Sequence, residues 1–157
     1  MHIPRIYIDT SVIGGCFDDE FAYWSNKLFD ECIGGFKIAV ISDITTSELE
    51  GAPEKVRNRI DDIPAKFIEK LDINEESQEL AANYIKFKAI SPKYLNDASH
   101  IAVSTVSKVD VLVSWNFHHI VNYRRINLYN SINMMFGYPL IEIRTPREVL
   151  NDDTENI

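Results

Sequence analysis

Polar side chains that could bind a cation or activate water follow two short apolar runs of this sequence. Asp9 comes directly after residues 5–8, whose β-branched and aromatic side chains favour a buried strand. Ser114 and Asn116 follow a similar run at 110–113. Because open α/β sheets bind ligands at the carboxyl ends of their strands, the sequence predicts that these side chains share one edge of a sheet.

Two further acids are predicted to lie near the same edge. Glu48 comes one helical turn after a third apolar run at 37–42, and Asp97 stands at the start of a predicted helix at 96–107. Each acid also has a purely structural explanation. Glu48 is three residues after Thr45 and could complete a capping box, while Asp97 could complement the helix dipole. Their joint placement at one edge favours a shared site.

Several carboxylates held close together repel one another and cannot all stay ionised without compensation. A hard divalent cation supplies that compensation, and Mg²⁺ or Mn²⁺ prefers carboxylate and water oxygens. We therefore expect Asp9, Glu48 and Asp97 to be metal ligands. A cation held in this way can activate water and stabilise an in-line attack on phosphorus, so this arrangement predicts phosphodiester hydrolysis.

Strands and helices alternate along the chain, which predicts a mostly parallel sheet with helices on both faces. The predicted strands are 5–8, 37–42, 66–73, 110–114 and 140–143. The predicted helices are 21–33, 43–50, a short helix from Pro53, 74–90, 96–107, 121–136 and a last helix opened by Thr145. We expect one domain over residues 1–150, followed by an acidic tail at 151–157 whose composition is typical of a disordered end.

The composition excludes several classes of protein. With 45% apolar residues among 157, the chain can build a sizeable core, and its two cysteines form no CxxC pair. The net charge of −8 argues against a nonspecific nucleic-acid coat, although not against an enzyme that acts on nucleic acid. No leader and no membrane-spanning run is visible, so we expect a cytoplasmic protein with no membrane partner.

Four motifs give the sequence a resemblance to PIN domains, and most closely to the prokaryotic VapC-type toxins. They are Ile-Asp-Thr-Ser at 8–11, Ser-Glu-Leu at 47–49, Asn-Asp-Ala-Ser-His-Ile-Ala at 96–102 and Leu-Val-Ser-Trp-Asn-Phe at 112–117. The resemblance covers nearly the whole chain, and the motifs occur in the same order. It implies a three-layer α/β/α fold with strand order 3-2-1-4-5 and cleavage of RNA that depends on Mg²⁺ or Mn²⁺.

The resemblance also assigns roles to individual residues. Asp9, Glu48 and Asp97 match the acidic metal-binding positions of PIN domains, and Ser114 matches a hydroxyl of the last motif. Asn116 stands where the family usually has a fourth acid, which removes one negative charge. We therefore expect one firmly held cation, with a second recruited by the substrate phosphate, and an assisting role for Asn116.

Residues around the predicted cleft could bind substrate. Thr10, like Ser114, could position a water, and His118 follows Asn116 closely. Arg124 and Arg125 begin a polar helix that could contact RNA phosphates and bases. His100 lies one helical turn beyond Asp97 and could orient a water. The alternatives are that these histidines lie on the surface and that the arginines form a solvated helix face.

The leading hypothesis is a metal-dependent endoribonuclease, and the resemblance adds a toxin role with an antitoxin and a homodimer as candidate partners. The alternative is a catalytically weak or inactive PIN domain that binds RNA or protein, which the missing fourth acid motivates. Phosphoryl transfer through Asp9 as a nucleophile has less support. Proteins of the haloacid-dehalogenase type carry a second Asp two residues later, where this chain has Ser11.

Overall fold

A five-stranded parallel sheet forms the centre of the protein, and its strand order is 3-2-1-4-5. A computed structural model describes residues 2–151. The strands are β1 (Arg5–Ile8), β2 (Ile38–Ser42), β3 (Ile68–Leu71), β4 (Val111–Val113) and β5 (Ile143–Arg144). The predicted fold class and strand order are thereby confirmed.

Among residues 2–151, eight α-helices flank the sheet. They are α1 (Thr10–Gly15), α2 (Ala22–Ile33), α3 (Asp43–Leu49), α4 (Glu54–Arg59), α5 (Glu75–Lys86), α6 (Leu95–Val106), α7 (Tyr123–Met135) and α8 (Pro146–Val149). Side chains of β1 alternate between two apolar cores. Ile6 and Ile8 pack in the core formed with α1, α2 and α4, whereas Tyr7 packs in the core formed with α5, α6 and α7. The protein therefore has three layers.

Several elements differ from the sequence-based prediction: β3 and α5 are shorter than the predicted 66–73 and 74–90, and two further elements differ more. The short helix α1 was not predicted; its Gly15 lies so close to Ser25 and Trp115 that an added Cβ would stand 2.6 and 2.7 Å from their side-chain atoms. The fifth strand is shorter than the predicted 140–143 and lies later, because the Asn130 side chain binds both the N–H and the carbonyl of Ile141. The N–H and the carbonyl of Ile141 are therefore not available for pairing with a neighbouring strand.

Met1 and residues 152–157, which include nearly all of the predicted acidic tail, lie outside the described residues. The assignment of residues 1–150 to one domain stays a prediction. Within residues 2–151, none of the helices is long and apolar enough to cross a membrane.

Candidate metal centre

Asp9 directly follows β1, the central strand, at the carboxyl edge of the sheet. Its backbone N–H donates to the carbonyl of Val113 at 3.0 Å, which continues the pairing with β4. The carboxylate is only 5% exposed. Ser11 and Ser114 donate their hydroxyls to its Oδ2 at 2.6 and 2.8 Å, so one carboxylate oxygen is held by two hydroxyls. This fixes the orientation of the carboxylate.

Glu48 lies on α3 and contacts one side chain from α1 and one from α6. Its Oε1 accepts hydrogen bonds from the hydroxyl of Thr10 at 2.7 Å and from Nε2 of His100 at 2.6 Å. The capping box of α3 is formed by Ser42 and Thr45. The capping alternative for Glu48 is therefore wrong, and its carboxylate is directed toward the carboxyl edge of β1.

His100 is fully buried between the carboxylates and the core. Its Nε2 lies 3.5 Å from Oδ1 of Asp9 in addition to its contact with Glu48. Its Nδ1 lies 2.7 Å from the hydroxyl of Tyr7, which in turn lies 2.7 Å from the hydroxyl of Ser42. The surface alternative is wrong for this histidine. Its neighbours offered a signal, because residues 101–103 are three consecutive apolar residues, and the structure buries every residue from 100 to 105 in α6.

Asp97 and Asn116 meet at the rim of this cluster. The side-chain amide of Asn116 donates from Nδ2 to Oδ2 of Asp97 at 3.3 Å. Its Oδ1 accepts from the backbone N–H groups of His118 and His119 at 3.1 and 2.9 Å. These two donors fix the amide so that its nitrogen, rather than its oxygen, faces Asp97. Asn116 therefore stabilises the conformation of the loop at 116–119 and also contacts the acidic cluster through Asp97.

The electrostatics of the cluster show an excess of negative charge. Burial raises the pKa of Asp97 to about 6, and repulsion from Asp9 and Glu48 adds to this effect. Burial also opposes ionisation of Glu48, yet hydrogen bonding and attraction to His100 outweigh it and lower the pKa of this carboxyl. Asp97 is thus the acid whose charge the surroundings compensate least.

The donor atoms fit a divalent cation. Among residues 2–151, one group of His, Cys, Asp and Glu side chains offers three ligand atoms that all lie within 4.8 Å of one another, and it consists of Asp9, Glu48 and His100. Asp97 does not belong to this tight group, although it lies near enough to be repelled by its acids. Two carboxylates and an imidazole, with a third acid nearby, are donors that a cation such as Mn²⁺ accepts.

The other candidate residues lie at three places in the structure. Thr10 and Ser114 bind its carboxylates directly. His118 is exposed on the loop that Asn116 organises. Arg124 and Arg125 line a groove of about 460 Å³ between the end of α5 and the start of α7, and Arg125 also donates to the carbonyl of Ala89 at 2.8 Å.

A similar fold occurs in a solved structure. The chain matches one in the crystal structure of VapBC2 from Rickettsia felis bound to a DNA fragment from their promoter, with a TM-score of 0.56 and 13% identity. The match covers 90% of this chain and 98% of that one. No family model and no curated protein matches the sequence. At this identity the likeness is one of fold, and the fold of this protein is PIN-like.

Proposed function

We propose that this protein is a metal-dependent endoribonuclease. The observation that carries the proposal is the meeting of Asp9 and Glu48 with His100 around one small volume at the carboxyl edge of the sheet, where Asp97 lies close enough to be repelled by both acids. A structural role alone would not require three mutually repelling acids there. A divalent cation and a phosphodiester supply the compensating charge and the ligand that this arrangement lacks.

Asp9 and Glu48 would hold the cation, with Asp97 binding it directly or through water. Such a cation activates water and neutralises charge that develops on a phosphate. The protein's own side chains fix these acids in advance. Ser11 and Ser114 restrain one oxygen of Asp9, while Thr10 and His100 restrain one oxygen of Glu48. Carboxylates already oriented need little rearrangement when substrate binds.

The groove lined by Arg124 and Arg125 has the charge needed to bind the RNA backbone. Lys86 and Lys88 line the same groove, so four cationic side chains gather in a protein whose net charge is −8. Its remaining lining residues carry no charge: Ile85, Ile90, Ser91 and Pro92. We propose that the groove binds phosphates of the strand and that His118, on the adjoining loop, contacts the same strand.

The toxin role belongs to the same proposal. It is supported by the motifs shared with VapC-type proteins and by the likeness of fold to a chain of VapBC2. An antitoxin and a second copy of the chain are then the expected protein partners. Exposed aromatic residues on and near α2 offer apolar surface for either one: Phe17, Tyr23 and Phe36.

One observation favours the alternative of a weak or inactive RNA-binding module. Asn116 brings no charge, and its amide oxygen is engaged by two backbone N–H groups. The site therefore contains three acids and lacks the fourth acid of the PIN pattern. A metal-binding protein that fails to cleave RNA would fit this alternative.

The test is cleavage of total RNA in the presence of Mn²⁺, Mg²⁺ or a chelator, combined with calorimetric titration of each metal. We expect cleavage by the wild-type protein with metal, and loss of both cleavage and tight binding in Asp97→Asn. Asp110→Asn is the matched control, because Asp110 is an exposed acid that accepts from Arg5 at the opposite end of β4. Metal binding without cleavage would favour the binding module, and no metal binding would contradict both.

A further inference from the structure

His100 is a fully buried imidazole in direct contact with two acids of the candidate metal centre. It lies on α6, one turn after Asp97, and none of its surface reaches solvent. A histidine serving only to fill space would not need to face two carboxylates. Its surroundings instead determine which ring nitrogen is free to bind a cation.

The side of the ring away from the acids is held by hydroxyl groups. Nδ1 lies 2.7 Å from the hydroxyl of Tyr7, which lies 2.7 Å from the hydroxyl of Ser42, and that hydroxyl accepts from the backbone N–H of Ile44. Because a hydroxyl can both donate and accept, this row can take a proton from Nδ1, with His100 donating to Tyr7 and Tyr7 donating to Ser42. The row therefore permits the tautomer whose Nε2 carries the lone pair, which is the form that a metal ligand needs.

The other ring nitrogen, Nε2, faces two carboxylates. Nε2 lies 2.6 Å from Oε1 of Glu48 and 3.5 Å from Oδ1 of Asp9. A carboxylate can only accept, so Nε2 donates its proton to Glu48 in this arrangement. The ligand atoms of Asp9, Glu48 and His100 lie within 4.8 Å of one another, and a divalent cation bound between them would displace that proton and take the lone pair of Nε2. Metal-binding histidines usually have their other ring nitrogen fixed by a hydrogen bond, as Tyr7 fixes Nδ1 here.

We propose that Nε2 of His100 joins Asp9 and Glu48 as a direct ligand of the cation, and that this imidazole makes the site prefer Mn²⁺ to Mg²⁺. Mg²⁺ favours an all-oxygen environment and keeps its waters, whereas transition metals accept imidazole readily. The inference rests on the proposed function only in assuming that the acidic cluster binds a cation. It adds a nitrogen ligand and a metal preference.

The test is pulsed electron paramagnetic resonance of Mn²⁺ bound to the wild-type protein, grown with either ¹⁴N- or ¹⁵N-labelled histidine. Direct ligation predicts a nitrogen coupling that changes with the isotope. In parallel, competition calorimetry measures the affinity for Mn²⁺ relative to Mg²⁺. His100→Gln should lose the coupling and reduce the preference for Mn²⁺ by about tenfold.

Two further variants separate ligation from positioning and guard against misfolding of His100→Gln. Tyr7→Phe removes only the hydroxyl behind the ring, so it should weaken binding but retain the nitrogen coupling. A variant in which His2, His118 and His119 are all Gln leaves His100 as the sole histidine and should keep the signal. Loss of the coupling in that variant would overturn the proposal.

The outcomes also distinguish this inference from the function on which it rests. Mn²⁺ binding that is abolished by Asp97→Asn but shows no histidine coupling would reject His100 as a ligand and leave the acidic metal site intact. An equal affinity for Mn²⁺ and Mg²⁺ would reject the proposed preference. Failure of the wild-type protein to bind either metal would reject the metal centre itself.

Discussion

Two buried cationic side chains of this protein meet carboxylates, and they lie at opposite ends of the sheet. Lys37 precedes β2 and is 3% exposed; it binds Glu31 and also donates to Oδ1 of Asn151 at 2.8 Å. His100 is fully buried below the carboxyl edge and contacts Glu48 and Asp9. Both arrangements bury charge, but only the cluster around His100 leaves negative charge without a compensating cation.

The difference lies in the number of acids that face each cation. Lys37 meets the single carboxylate of Glu31, whose oxygens also accept from the backbone N–H of Asn151. Around His100, three acids compete for one imidazole, and the pKa of Asp97 rises to about 6 in consequence of burial and this repulsion. A balanced pair stabilises a fold, whereas an unbalanced cluster is suited to binding a cation.

The largest expected effect comes from Asp9→Asn. Loss of the charge that lies deepest in the cluster should reduce metal-dependent RNA cleavage about a thousandfold, which corresponds to about 4 kcal/mol of transition-state stabilisation. The amide oxygen can still accept from Ser11 and Ser114, so the fold should remain. Cleavage rates together with thermal unfolding check this. Wild-type cleavage in the folded variant would exclude Asp9 from the reaction.

Lys37→Met should affect stability and leave the metal centre unchanged. The variant leaves the carboxylate of Glu31 largely buried and without its cationic partner. We therefore expect a loss of about 3 kcal/mol in the free energy of unfolding. Urea denaturation measures this loss, and Mn²⁺ titration serves as the control. The double variant Lys37→Met/Glu31→Leu should regain much of the stability. A change in metal affinity in either variant would show that the Lys37 pair and the metal centre, at opposite ends of the sheet, are coupled.

The metal-free protein should become more stable as the pH falls from about 7 toward 4. The pKa of Asp97 is raised from 3.8 to about 6 in the folded state, so the folded chain binds a proton in this range that the unfolded chain does not. We expect a gain of about 1–2 kcal/mol, reduced by the partial exposure of Asp97. Denaturant unfolding with a chelator measures it, and Asp97→Asn should remove this contribution. An identical pH dependence in that variant would contradict the assignment.

Asn116→Asp should increase the excess of negative charge at the carboxyl edge of the sheet. One oxygen of the new carboxylate can accept from the N–H groups of His118 and His119, while the other replaces the amide nitrogen that now faces Asp97. We expect about tenfold tighter binding of Mn²⁺, because an added acid raises the charge of the site. Calorimetry checks this, and an unchanged affinity would count against a position near the cation.

Arg124→Gln should have the smallest effect. Removing one phosphate contact from the groove should lower the slope of log affinity against log salt concentration by about 0.7 for a single-stranded RNA. Fluorescence anisotropy at several salt concentrations measures the slope. Arg57→Gln is the matched control, since Arg57 is exposed on α4, and its slope should equal that of the wild type. Equal slopes for both variants would remove Arg124 from the RNA path.

The parallel form of the sheet and the place of Asp9 followed from local signals. Residues 5–8 form a short apolar run that ends in a carboxylate, and the alternation of strands and helices restricts the sheet to a parallel form. The motifs that carry the resemblance then fixed the order of the strands. Ser114 was predicted as a site residue for the same local reason, and it donates to Asp9.

The burial of His100 could not be predicted from local sequence signals alone. Its environment depends on Tyr7 and Ser42, which are distant in sequence and meet only through the pairing of β1 with β2. The helix α1 was missed for a related reason. Its Ile-Gly-Gly end has poor helix propensity, and the helix depends on the close approach of Gly15 to α2 and Trp115.

The most direct test of the metal centre is an anomalous difference map from a crystal of the protein grown with Mn²⁺. We predict a peak at the carboxyl edge of the sheet, within contact of Asp9, Glu48 and Nε2 of His100, and no peak beside Lys37 and Glu31. A peak bound by the acids alone would keep the metal centre and remove His100 from it. Absence of a peak at the carboxyl edge, in crystals that scatter well at the manganese edge, would contradict the central claim.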